Sequence, residues 1–182
     1  MRQLIEGGTV VDDRWTLLRD AATLADVPDA VPVIVPLVLW QARRAALFAR
    51  GDVGVWLAPG DDPGALAADI RVLPLIAVDF PQFTDGRGYS IARLLRDRHG
   101  FKGELRAIGD ILRDQLYALA ECGFDAFAIR ADRDAREALA GLHDFSWGCA
   151  ATAPPSRPWL RRRASSGARQ PEEPLLAAAR PR

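Results

Sequence analysis

The chain is nearly without lysine. Lys102 is the only one among 24 basic residues, an imbalance we read as GC-rich coding bias rather than a need for guanidinium groups at every site. Cysteine is scarce as well. Cys122 and Cys149 are too few for a disulfide framework, and the first residues show no charged segment leading into an apolar one, as a secretory leader would. We therefore expect reduced thiols and a cytoplasmic setting. Long apolar runs are missing: residues 30–40 form a short run that contains Pro32 and Pro36, whereas a membrane helix needs about 18 apolar residues or more. A helical membrane span is excluded. The two histidines, His99 and His143, lie far apart, and neither stands at metal-ligand spacing from a cysteine. There is no serine, cysteine or histidine triad, no dinucleotide fingerprint and no iron–sulfur motif, so we assign no metal, no cofactor and no catalytic residue.

What is present suits one domain with a tail. Of 182 residues, 49% are apolar, enough for one substantial core and too short a chain for a second. The formal net charge of zero conceals an asymmetry: residues 1–153 are mildly acidic, whereas residues 154–182 hold seven arginines against two glutamates. We take 1–153 as a single α/β domain and 154–182, rich in Pro, Arg, Ser and Ala, as a tail expected to be disordered. Arg161-Arg162-Arg163 could meet an anionic partner. Three arginines are too few for the phosphate contacts that nucleic-acid affinity requires, so nucleic acid is not the expected partner.

Strand-like and helix-like patterns alternate along the domain. Residues 3–18 carry short apolar runs broken by Gly7-Gly8 and Asp12-Asp13, which predicts an N-terminal β-hairpin. Residues 19–30 are mixed and read as a loop. Strands are predicted at 31–35, 53–57, 75–80, 104–108 and 126–129, and helices at 37–50, 63–70, 88–99, 111–122 and 134–142. In the first helix Leu37, Trp40, Arg44, Leu47 and Phe48 share a stripe. Ile91, Leu94 and Leu95 are expected inside, which leaves Arg93, Arg96 and Asp97 to solvent or to a partner. About five βα units in series make a parallel sheet, either open or a partial barrel.

Ligands of parallel α/β folds bind beyond the C-terminal ends of the strands, so residues 80–125 hold most of the candidates. Alternation puts Leu75, Ala77 and Asp79 on one face of their strand, and Glu104, Arg106, Ile108 and Asp110 on one face of the next. A strand covered on both sides should read apolar, so Glu104 and Arg106 mark either a structural ion pair or a polar cleft lining. The loop Thr84, Asp85, Gly86, Arg87, Gly88, Tyr89 and Ser90 precedes a helix whose unsatisfied N–H groups favour an anion. Turn geometry, a cap at Asp85 and packing of Tyr89 are its structural alternative. Asp114 and Gln115 lie one turn beyond Asp110 and are candidates with it, and Asp110, Arg113 and Asp114 could line the rim of the same cleft as Arg87. Cys122 is read as a small core residue rather than a nucleophile.

The runs LIAVDFPQFTDGRGYSIARLLR, GELRAIGD and LRDQLYALAECGFDAF, together with VPVIVPLVLWQAR and DVGVWLAP upstream, resemble the bacterial family catalogued as domain of unknown function 934. The likeness covers most of 31–129 and leaves the basic tail outside. Members of that family are typically encoded beside sulfite reductase in assimilatory sulfate reduction and are often labelled oxidoreductases. The resemblance thus implies a pathway; it brings no catalytic residues. Two readings follow. One is an accessory or redox-associated protein of sulfite reduction that docks on sulfite reductase or its electron donor. The other is an enzyme or binding domain that holds a small anionic ligand, an oxyanion or a nucleotide, at the strand ends.

Overall fold

The structure is a computed structural model and describes residues 3–144. The tail expected to be disordered from 154 onward, and Cys149, lie outside the described residues.

An eight-stranded sheet organises the fold. Its strands are β1 (Gln3–Glu6), β2 (Thr9–Asp12), β3 (Thr16–Leu17), β4 (Val33–Pro36), β5 (Val53–Leu57), β6 (Leu75–Phe80), β7 (Glu104–Gly109) and β8 (Ala126–Phe127). Spatial order runs β2-β1-β8-β7-β6-β5-β4-β3. From β3 to β8 every neighbour pair is parallel and follows chain order. Sequential parallel strands joined by crossovers curl in one direction, which makes this sheet a half-barrel rather than an open, doubly wound one. The sheet is not purely parallel. The hairpin of β1 and β2 is antiparallel and extends the sheet through β1 against β8, Ile5 opposite Phe127.

Alternation along the strands sorts the core onto two faces. Val33, Val35, Val53, Val55, Ile76, Val78, Phe80, Leu105, Ala107 and Phe127 point to the helical side, where α1 (Leu37–Arg50), α2 (Arg87–Arg93), α3 (Leu116–Cys122) and α4 (Ala135–Leu139) follow their strands. Ile34, Leu75, Ala77, Ile108 and Ala126 point to the other side and pack with Leu4, Trp15, Leu17 and Trp56. β6 is buried at all six positions, as expected of a central strand covered on both faces.

Several predicted elements are shorter or less regular than their patterns. The segment predicted as a helix at 63–70 forms only a 3₁₀ turn, Pro63–Leu66, capped by the Asp62 carboxylate accepting from the Gly64 N–H at 2.8 Å. The helix predicted at 111–122 begins as a 3₁₀ turn, Arg113–Gln115, before α3. The one predicted at 88–99 divides into α2 and a π turn, Leu94–Arg98. Leu94, at the start of that turn, is exposed, and Arg96, inside it, points inward. Arg96, expected to face solvent or a partner, donates to the carbonyls of Phe101, Gly103 and Gly123 and to the Asp125 carboxylate. It thereby ties the loop entering β7 to the loop entering β8.

The stripe expected on α1 is broken similarly. Arg43 has non-helical angles, φ −130 and ψ 28, and beyond it Leu47 is buried while Phe48 is 53% exposed. Trp40 is buried and donates its indole N–H to Asp69 at 2.9 Å. Asp69 also accepts from the Arg44 Nε at 2.7 Å. The Arg44 guanidinium holds the Asp69 carboxyl below the usual carboxylate range, against the opposing effect of its burial.

Candidate functional site

The C-terminal ends of β6 and β7 open onto a cleft of about 510 Å3, lined by Arg19, Asp79, Phe80, Pro81, Gly109, Asp110 and Arg130. Its placement follows from the chain direction. Parallel strands deliver their ends to one edge of the sheet, and the loops leaving them are free to carry polar groups. Register brings Phe80 opposite Gly109, and the Asp110 N–H donates to the Phe80 carbonyl at 2.7 Å. The two strand ends are therefore locked side by side.

Gly109 allows that approach. Its φ is +102, a conformation L side chains rarely adopt, and a Cβ there would stand 2.3 Å from the Phe80 carbonyl oxygen and 2.8 Å from Asp79 Oδ1. The backbone of β7 thus passes directly against the Asp79 carboxylate.

Two ion pairs line the cleft. Arg19, just beyond β3, donates from Nη2 to Asp79 Oδ1 at 2.9 Å and lies over the Trp56 ring with its guanidinium carbon 5.9 Å from the centroid. The Trp56 indole N–H donates to the Leu18 carbonyl at 3.0 Å, which fixes the platform beneath Arg19. At the end of β7, Asp110 accepts from Arg130 Nη1 at 2.8 Å and from the Phe83 N–H at 2.9 Å. Arg130 also grips Asp132 from Nε and Nη2, at 2.6 and 3.0 Å. Asp132 and then Asp110 raise the Arg130 guanidinium above its ordinary value.

The sequence candidates separate into three groups. Asp79 and Asp110 meet in the cleft. Arg106 does not: it is 2% exposed and donates to Asp13 at 2.8 Å and to Glu104 at 2.7 Å, on the sheet face that carries Leu75, Ala77 and Ile108. Burial pushes the Glu104 carboxyl up while Arg106 pulls it down. This triad belts the N-terminal segment to the middle of β7.

The loop residues form the third group. Asp85 accepts from the Arg87 backbone N–H at 3.1 Å and from the Arg87 side chain at 3.0 and 2.7 Å, and the Arg87 side chain holds that carboxyl low. Arg87 is largely exposed and does not line the cleft. Gly86, φ −81, and Gly88, inside α2, take ordinary angles. Gly88 is needed for space, since a Cβ would meet the Phe80 ring at 2.4 Å. Tyr89 packs edge-on to Phe80, its ring 5.5 Å away, and burial raises its hydroxyl against the lowering effect of Gln115. Gln115 accepts from the Leu112 N–H at 2.9 Å and donates to the Phe83 carbonyl at 3.2 Å, so it pins the loop rather than facing a ligand. Thr84, Ser90 and Asp114 are exposed, and Asp114 lines a smaller hollow with Arg133 and Glu137.

Arg19 and Arg130 complete the cleft, with Trp56 beneath Arg19. Arg19 lies in a segment without periodicity, and Trp56 reads as an ordinary strand residue. Only Arg130, directly after a strand, stood where a strand-end inspection finds it. Because Arg87 pairs within its own loop in solvent, Arg87→Ala is expected to leave the melting temperature and any ligand affinity of the cleft nearly unchanged, measured by thermal unfolding and calorimetric titration.

Fold and cleft define an α/β half-barrel with a polar cleft at the C-terminal edge of its parallel strands. The chain belongs to the family described as bacterial protein of unknown function (DUF934), whose model matches residues 54–159. The match begins later than the resemblance seen in the sequence and runs further, into the first residues of the Pro- and Arg-rich segment. No curated protein matches the chain. Among the described residues, no helix is long and apolar enough to cross a membrane, and no group of three or more His, Cys, Asp or Glu side chains is arranged to hold a metal ion.

Proposed function

We propose that the protein is an accessory component of assimilatory sulfite reduction that binds a small ligand bearing an anionic group in the half-barrel cleft. The observation that carries the binding role is the convergence of two guanidinium groups, Arg19 and Arg130, on one open cavity at the strand ends. An Arg carries five N–H donors in a fixed fork suited to oxyanions and phosphates, and Arg19 is 43% exposed at its side chain. The pathway rests on the resemblance of 75–127 to its family, with sulfite reductase or its electron donor as the partner expected to dock.

Growth of a deletion strain tests the pathway. With sulfate, sulfite or sulfide as sole sulfur source, rescue by sulfide but not by sulfite is expected. Normal growth on all three would remove the assignment.

A further inference from the structure

The charges of the cleft come in opposed pairs, and this narrows the ligand it can hold. Arg19 with Asp79 stands at the end of β6, and Arg130 with Asp110 at the end of the adjoining β7. Within the lining, two positive groups face two negative ones. A lone oxyanion seated on Arg19 would therefore have the Asp79 carboxylate beside it, because Asp79 Oδ1 is only 2.9 Å from Arg19 Nη2. Repulsion from that carboxylate would cancel much of the attraction. A lone cation would meet Arg19 in the same way.

A ligand carrying both charges avoids the conflict. Laid antiparallel to the Arg19–Asp79 pair, it sets its anionic group against the guanidinium and its ammonium against the carboxylate, and the pair need not break. Both partners have the capacity. A guanidinium offers five N–H donors and a carboxylate about four acceptor sites, of which their mutual bond uses one each. Arg130 is more heavily committed, since it also binds Asp132 through two nitrogens. Trp56 lies beneath the Arg19 guanidinium, and Gly109, having no Cβ, leaves the space that the Asp79 carboxylate occupies. The cavity volume lies within the range of small-molecule sites.

Resting on the reading of this cleft as a binding site, we propose that its ligand is a small zwitterion, an ammonium and a carboxylate or sulfonate on a short linker. α-Amino acids and aminoalkanesulfonates are the two classes with that chemistry. The anionic group sits on Arg19 and the ammonium on Asp79.

Calorimetric titration of the full chain with glycine, taurine, sulfate and methylammonium tests the assignment. At least one zwitterion is expected to bind saturably and about tenfold or more tighter than sulfate or methylammonium, the size of one charge-assisted hydrogen bond. Tighter glycine assigns the carboxylate class, and tighter taurine the sulfonate class. Arg19→Gln and Asp79→Asn are each expected to weaken zwitterion binding about tenfold, while Asp79→Asn improves sulfate binding because the repelling carboxylate is gone. Arg19→Gln changes an exposed side chain, so it carries the test even if Asp79→Asn fails to fold. Sulfate binding as tightly as the zwitterions overturns the zwitterion and leaves an anion site standing. Binding of none of the four overturns both. Zwitterion binding unchanged in Arg19→Gln overturns the seat proposed for it.

Discussion

Arg106→Met is expected to destabilise the protein by about 3 to 5 kcal/mol, the range for breaking a buried ion pair by removing one partner. Arg106 is 2% exposed, and its side chain bonds both Asp13 and Glu104. Taking the guanidinium away leaves two carboxylates without their cation on an otherwise apolar sheet face. Burial already pushes the Glu104 carboxyl up with Arg106 present, so its loss should make that carboxylate costlier still. Adding Glu104→Gln and Asp13→Asn to the same chain removes the stranded charges and should recover much of the loss. Urea unfolding of the single and triple variants reads both effects. A triple variant no more stable than Arg106→Met would show that packing, and not charge, makes Arg106 necessary.

Gly109→Ala is expected to cost about 2 to 5 kcal/mol, from a positive-φ residue forced to carry a Cβ together with overpacking of a closed site. The added carbon would lie 2.3 Å from the Phe80 carbonyl oxygen, which backbone atoms cannot relieve without parting β6 from β7. The cleft should suffer with the fold, because Gly109 lines it and touches Asp79. Gly86→Ala is the control. Gly86 has φ −81, and a methyl group added there would meet no atom within 4 Å, so the melting temperature of this variant should move little. Equal losses at both positions would show that close approach to Phe80 does not set the need for glycine at 109.

Particular residues show how far the sequence alone carried. Strand positions with strict alternation were legible: Leu75, Ala77 and Asp79 share one face, and Ile76, Val78 and Phe80 the other. Helix α1 was legible to its ends, since Pro36 precedes it and Gly51 closes it in a left-handed conformation. Side-chain direction after an irregular turn was not. Arg96 was left to solvent or to a partner under a 3.6-residue period and is the inward clamp within the π turn. In the site, Asp79 and Asp110 were legible because they directly follow apolar strand residues. Arg87 drew notice from its glycine neighbours, yet its guanidinium is answered two residues away by Asp85.

The sequence by itself determined the class of architecture and the edge of the sheet at which the cleft opens. Both depend on local order along the chain: apolar runs at strand spacing, helices between them, and polar residues placed where each strand stops. Tertiary structure alone decided which charges distant in sequence meet. Arg19 and Asp79 are 60 residues apart, and Asp13 and Arg106 are 93 apart, distances over which no periodicity operates. Those pairings follow from the curl of the half-barrel, which brings the end of β3 across to the end of β6 and lays the N-terminal segment against β7. Coulomb attraction then selects partners only among groups that backbone topology has already brought within reach.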